Sequence, residues 1–121
     1  MPDRTVAYAI LYVADLPLMA RFYGAIVGLP IASRNERFVT FGGAAAPLAL
    51  EAGGPALDGA RGKAQNPTLW QFAVPDIEAG VAELAARGVP IEGVIKRAAF
   101  GALAFFRDPE GNRFAFLERP A

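Results

Sequence analysis

Apolar positions along the chain change period twice, in the same order, about sixty residues apart. Val6 to Val13 is a β-rich run. Met19, Phe22, Tyr23, Ile26 and Val27 follow at i, i+3, i+4, i+7 and i+8, the apolar stripe of a helix lying on a sheet. Thr68 to Val74 is β-rich again, and Ile77, Val81, Leu84 and Ala85 follow at i, i+4, i+7 and i+8. An aspartate precedes each stripe, Asp15 or Asp76. There its carboxylate can accept from the free N–H groups of a first helical turn, which Pro17 also suits. Gly28 and Gly88 sit where each helix is expected to stop, and Arg87 sits favourably at the negative end of the second.

Three shorter strands are predicted after each helix. They are Ile31 to Ser33, Arg37 to Phe41 and Leu48 to Glu51 in the first half, then Ile91 to Ile95, Ala102 to Phe106 and Arg113 to Glu118 in the second. Asp108-Pro109-Glu110-Gly111 has the residues of a type I turn and predicts a hairpin between the last two. The halves also repeat in letters. Val13-Ala14-Asp15-Leu16 returns as Val74-Pro75-Asp76-Ile77, and Gly28-Leu29-Pro30-Ile31 as Gly88-Val89-Pro90-Ile91. The chain therefore reads as an α+β protein of two tandem βαβββ modules, about 5–52 and 68–118, in a single domain. The linker 53–67 is rich in glycine and proline and reads as a tether, or as a flap over a site.

Composition removes whole chemistries. The 121 residues hold no cysteine and no histidine. Thiol nucleophiles, disulfides, zinc–thiolate sites, iron–sulfur clusters and Ser-His-Asp triads are excluded, and the commonest transition-metal ligand is missing. Twelve basic residues balance twelve acidic ones, so net charge recommends neither nucleic acid nor an anionic membrane. The glycine pairs Gly42-Gly43 and Gly53-Gly54 lack the Gly-Lys-Ser or Gly-Lys-Thr of a phosphate loop. Met1-Pro2-Asp3-Arg4 does not read as a secretory leader, and no apolar run is long enough to span a bilayer, so a cytoplasmic location is expected.

Val13-Ala14-Asp15-Leu16, Phe22-Tyr23 and Gly28-Leu29, with Phe72-Ala73-Val74-Pro75-Asp76 and Phe106-Arg107-Asp108-Pro109-Glu110-Gly111-Asn112, resemble the two module signatures of the vicinal oxygen chelate superfamily. That group includes glyoxalase I, extradiol dioxygenases, and fosfomycin- and bleomycin-resistance proteins. The resemblance implies a curved, barrel-like mixed sheet with helices outside, and a homodimer. It also implies a divalent metal held by one residue from the first strand and one from the last strand of each module. In this sequence the first-strand positions are Tyr8 and Leu69, and the last-strand position of the second module is Ala115. In the first module it is Ala49, matching Leu48-Ala49-Leu50 to Phe114-Ala115-Phe116, or Glu51, matching on an acidic side chain. Such a set does not make a divalent site, so neither metal nor cofactor is expected.

Strand alternation extends the candidate ligand-binding face to Tyr8, Ile10 and Tyr12, to Ala49 and Glu51, to Leu69 and Gln71, and to Ala115 and Leu117. Leu11, Val13, Trp70, Phe72, Phe114 and Phe116 then pack beneath the helices. Arg34, Arg37, Lys96, Arg97 and Arg107 flank strands and read mainly as surface charges. The favoured reading is a metal-independent protein, similar to the bleomycin-resistance branch, that sequesters a partly apolar or aromatic small molecule. The alternatives are a glyoxalase-like lyase, dioxygenase or transferase using Glu51 as acid/base or through a cross-chain metal, and an accessory subunit with a vestigial pocket.

Overall fold

The computed structural model describes residues 4–121. Met1-Pro2-Asp3, where the leader reading begins, lies outside the described residues. The chain divides into two compact units, Met1–Ala56 and Leu57–Ala121. The linker is shared between them.

The first unit runs β1 (Ala9–Val13), α1 (Leu16–Arg21), β2 (Ile31–Arg34), β3 (Phe38–Phe41) and β4 (Leu48–Ala52). The sheet order is β1-β4-β3-β2, with β1 parallel to β4 and the other pairs antiparallel. Asp15 caps α1 by accepting from the Leu18 amide at 3.1 Å. The apolar stripe continues past Arg21 as a widened π-helical stretch, Phe22–Val27, closed by Gly28 at φ 96°. Met19, Phe22 and Tyr23 are buried, as are Val13, Val39, Phe41 and Leu50 of the sheet, while Ile26 and Val27 are half-buried. The chain leaves β4 by folding back over the end of β1, where Gly53 and Gly54 both donate to the Val13 carbonyl. A Cβ on Gly54 would lie 2.5 Å from the Tyr12 carbonyl carbon, so only glycine fits that crossing.

The second unit repeats the plan with β5 (Trp70–Ala73), α2 (Ile77–Ala86), β6 (Glu92–Ala98), β7 (Gly101–Arg107) and β8 (Arg113–Glu118). Its sheet order is β5-β8-β7-β6, and β5 runs parallel to β8. Asp76 caps α2 by accepting from the amides of Glu78 and Ala79. Glu118, from the last strand, adds a carboxylate acceptor for the Ile77 amide at 2.8 Å. The α2 face departs from the sequence pattern. Ala85 is exposed, and Gly80 takes a buried place, where a Cβ would stand 3.0 Å from the Phe116 ring.

Beneath α2, the Phe106 ring lies 5.4 Å from that of Phe114 and 5.1 Å from that of Phe116. Trp70 is buried and Phe72 half-buried on the same side of the sheet. Burying each such ring contributes about 1.5–3 kcal/mol, so the helix-facing sides of both sheets carry the cohesion of each unit. The opposite sides are left for other work. The turn between β7 and β8 closes as its residues require, with the Gly111 amide donating to the Asp108 carbonyl at 2.9 Å. Asp108 also accepts from the Glu110 and Asn112 amides and from the Asn112 side chain.

Candidate functional site

In the first unit the face turned away from α1 is built from two cross-strand rows. Ile10, Ala49, Thr40 and Ser33 are in register, and so are Tyr12, Glu51 and Phe38. Tyr8 lies just before β1 and sets its ring edge-on to Phe38, 5.5 Å between centroids. Tyr8 and Tyr12 are about half exposed, at 50% and 52%, and Ile10 is exposed beside them. Ser33 and Thr40 satisfy one another through a hydroxyl–hydroxyl bond of 2.5 Å. Ala49 is fully buried, its methyl covered by neighbours, and Glu51 is half-buried between Tyr12 and Phe38. The available chemistry is therefore apolar and phenolic surface with one carboxylate.

The equivalent face of the second unit differs. Gln71, Ala115, Phe105 and Glu92 form one cross-strand row, and Ala73, Leu117 and Leu103 another. Arg107 and Arg113 are paired in register two residues further along β7 and β8. Leu69 and Gln71 are exposed, Leu117 is half-buried, and Ala115 is fully buried. Register also relates the modules: Ala49 lies opposite Ile10 as Ala115 lies opposite Gln71, and Glu51 takes the place of Leu117.

Arg107 is not the ordinary surface charge its sequence position suggests. Its Nε and Nη2 form a fork on Glu92, at 2.7 and 3.1 Å, and its Nη1 donates to the carbonyls of Arg61 and Gly111. Those contacts draw the second part of the linker onto the β7–β8 turn. The Arg61 amide donates to the Gly111 carbonyl at 2.8 Å, the buried Arg61 side chain lies 3.7 Å from Glu110, and Asn66 donates to Asn112. The linker from Arg61 to Asn66 is thus fastened to the sheet rather than left as a tether.

Glu92 also meets Arg113, whose Nε lies 3.2 Å away as an ion pair without hydrogen-bond alignment. The hydrogen bond from Arg107 outweighs partial burial and, with the charges of both arginines, holds the Glu92 carboxyl below the usual carboxylate range. The Arg113 guanidinium lies on the Phe105 ring, 3.7 Å from its centroid, and Lys96 Nζ is 5.3 Å from the same ring. Arg61, Glu92 and Arg113 join the cluster without being singled out by the sequence pattern. Strand alternation does no more than hint at Arg113, two residues before Ala115. Nothing in the linker composition points to Arg61.

Residues 5–116 match the profile of the Glyoxalase/Bleomycin resistance protein/Dioxygenase superfamily, and the chain belongs to that superfamily. Solved structures agree on the fold. An antibiotic binding protein, TnmS3, from Streptomyces sp. CB03234 is 22% identical, with a TM-score of 0.76 and 99% of each chain covered. A protein of unknown function from Agrobacterium tumefaciens str. C58 is also 22% identical, at TM-score 0.77 with 99% of this chain and 98% of that one covered. A lactoylglutathione lyase from Agrobacterium tumefaciens is 23% identical, at 0.73 over 98% and 96%. No curated protein matches the sequence.

The metal that this superfamily implies does not fit the side chains at the positions the resemblance assigns to its ligands. A phenol, two methyl groups and an isobutyl group (Tyr8, Ala49, Ala115 and Leu69) offer no set of converging anionic or imidazole donors. Taking Glu51 in place of Ala49 adds one carboxylate. Among the described residues no three His, Cys, Asp or Glu side chains gather into a metal-binding group. No helix among them is long and apolar enough to cross a membrane.

Proposed function

We propose that this protein is a metal-independent small-molecule-binding member of the superfamily, which sequesters a partly apolar or aromatic compound without transforming it. One observation carries the reading. Tyr8, Ile10 and Tyr12 stand exposed on one face of the first sheet, with Ala49 and Glu51 in register beside Ile10 and Tyr12. Mostly apolar walls with a few polar groups suit a small organic guest, and half-exposed tyrosines supply large contact area at low conformational cost. The antibiotic-binding role named for TnmS3 supports a binding function for the same fold. Ala49 and Ala115 contribute by being small, not by contacting the guest broadly, since both are fully buried.

The test is calorimetric titration of a panel of aromatic antibiotics into wild-type protein and Tyr12→Ala, with and without EDTA. Saturable binding to the wild type, unchanged by EDTA and weakened at least tenfold by the substitution, is the expected result. Binding abolished by EDTA, or binding that Tyr12→Ala leaves untouched, contradicts the reading. A second reading has one observation behind it: Glu51 is half-buried in register with Tyr12, a carboxylate and a phenol on one face. Turnover of a bound compound that Glu51→Gln abolishes without loss of binding would favour it.

A further inference from the structure

A cavity of about 430 Å³ opens in the second unit where the fastened linker passes the start of β5, lined among others by Arg61, Lys63, Asn66, Leu69, Arg107 and Arg113. Its charge is one-sided. The carboxylates beside these cations are engaged, Glu110 by Arg61 and Glu92 by Arg107 and Arg113. Arg107 spends its donors on Glu92 and two backbone carbonyls and holds the wall in place. Arg113 is different. Its contacts are Glu92, through Nε, and the face of Phe105. Among the described residues its two terminal nitrogens have no hydrogen-bond partner. An aromatic platform thus backs the guanidinium and leaves its terminal nitrogens open, and a guanidinium so presented can bind a carboxylate or phosphate through two parallel N–H donors. Leu69, exposed on the same wall, supplies apolar surface for the body of such a molecule.

We propose that this cavity is a binding site for the oxyanion group of a small organic acid, with Arg113 gripping the anion and Leu69 contacting its apolar body. Lys63 adds attraction at the mouth, and Arg107 is a positioning residue. The inference rests on the second unit alone and does not require that the tyrosine face of the first unit bind anything.

Titration calorimetry with 2-naphthoate, phenyl phosphate and the neutral 2-naphthamide tests it, on wild-type protein, Arg113→Gln and Arg113→Lys. Arg113 is part-exposed and outside the ring cluster beneath α2, so both variants are expected to fold, and far-ultraviolet circular dichroism checks this. At least one of the two anions should bind saturably, and Arg113→Gln should weaken it tenfold or more. Arg113→Lys should fall between, because a point charge keeps the attraction but not the fork. Naphthamide should not compete, and raising the salt concentration should weaken the anion. Which anion binds more tightly separates a carboxylate from a phosphate ligand. Failure of both anions to bind, equal binding of naphthoate and naphthamide, or an Arg113→Gln variant that binds like wild type overturns the proposal. Tyr12→Ala should leave naphthoate affinity unchanged, which separates this result from the test of the proposed function.

Discussion

The two modules share one topology and differ in what they expose. Both place a parallel pair of strands inside a four-stranded mixed sheet, and both cap the following helix with an aspartate. Away from the helix, the first sheet presents tyrosines and isoleucine around a lone carboxylate. The second presents arginines and a lysine gathered on Glu92 and Phe105. The helix-facing sides must remain apolar to hold each unit together, so they tolerate little divergence. The opposite sides bury fewer large side chains and differ between the modules in chemistry while keeping register. Their difference teaches that a duplicated fold keeps its geometry through one face and varies its chemistry through the other.

The largest effect is expected where the second module is fastened to its linker. Gly111 has φ 84°, and a Cβ there would collide with the Gly59 carbonyl. Gly111→Ala should cost about 3 kcal/mol, combining left-handed strain with a backbone clash. Urea unfolding measures this, and a loss below about 1 kcal/mol would mean that the linker is held loosely after all. The counterpart in the first module is Gly54, where a Cβ would lie 2.5 Å from the Tyr12 carbonyl carbon; its φ is not left-handed, so Gly54→Ala should carry the clash without the added backbone strain.

A smaller effect separates the modules by pH. Because the folded-state pKa of Glu92 is lowered, the group stabilises the fold above its ordinary carboxylate value, and that contribution disappears as the pH falls through the lowered one. Stability measured from pH 7 down to pH 2 should therefore decline on an acid limb that Glu92→Gln flattens. Glu92 is more than a third exposed, so the change should be modest. An unchanged acid limb in Glu92→Gln would remove the arginine cluster from the stability of the second module.

Much of this arrangement is legible in the sequence. Period, caps and turn residues locate both helices and the strands to within a few residues. Asp15, Asp76 and the Asp108-Pro109-Glu110-Gly111 turn act locally, so their partners lie within a few positions. The π-helical stretch is not legible, because Phe22, Tyr23, Ile26 and Val27 fit an ordinary helical stripe equally well. Gly80 escapes notice because hydrophobic patterning assigns glycine to neither face. The register that sets Ala49 against Ile10 depends on long-range parallel pairing, which two plausible local matches could not decide. The charged cluster is least legible of all. Arg61, Glu92, Arg107 and Arg113 are brought together from the linker and three strands, and alternation alone hints at Arg113.

The proposed function requires that Tyr8, Ala49 or Glu51, Leu69 and Ala115 hold no divalent ion and leave surfaces suited to organic guests. Elemental analysis of protein purified without chelators, then dialysed against zinc, nickel and manganese in turn, tests it most directly. Far less than one divalent ion per chain is expected in every case. One tightly held ion per chain, lost on Glu51→Gln or Tyr8→Phe, would contradict it.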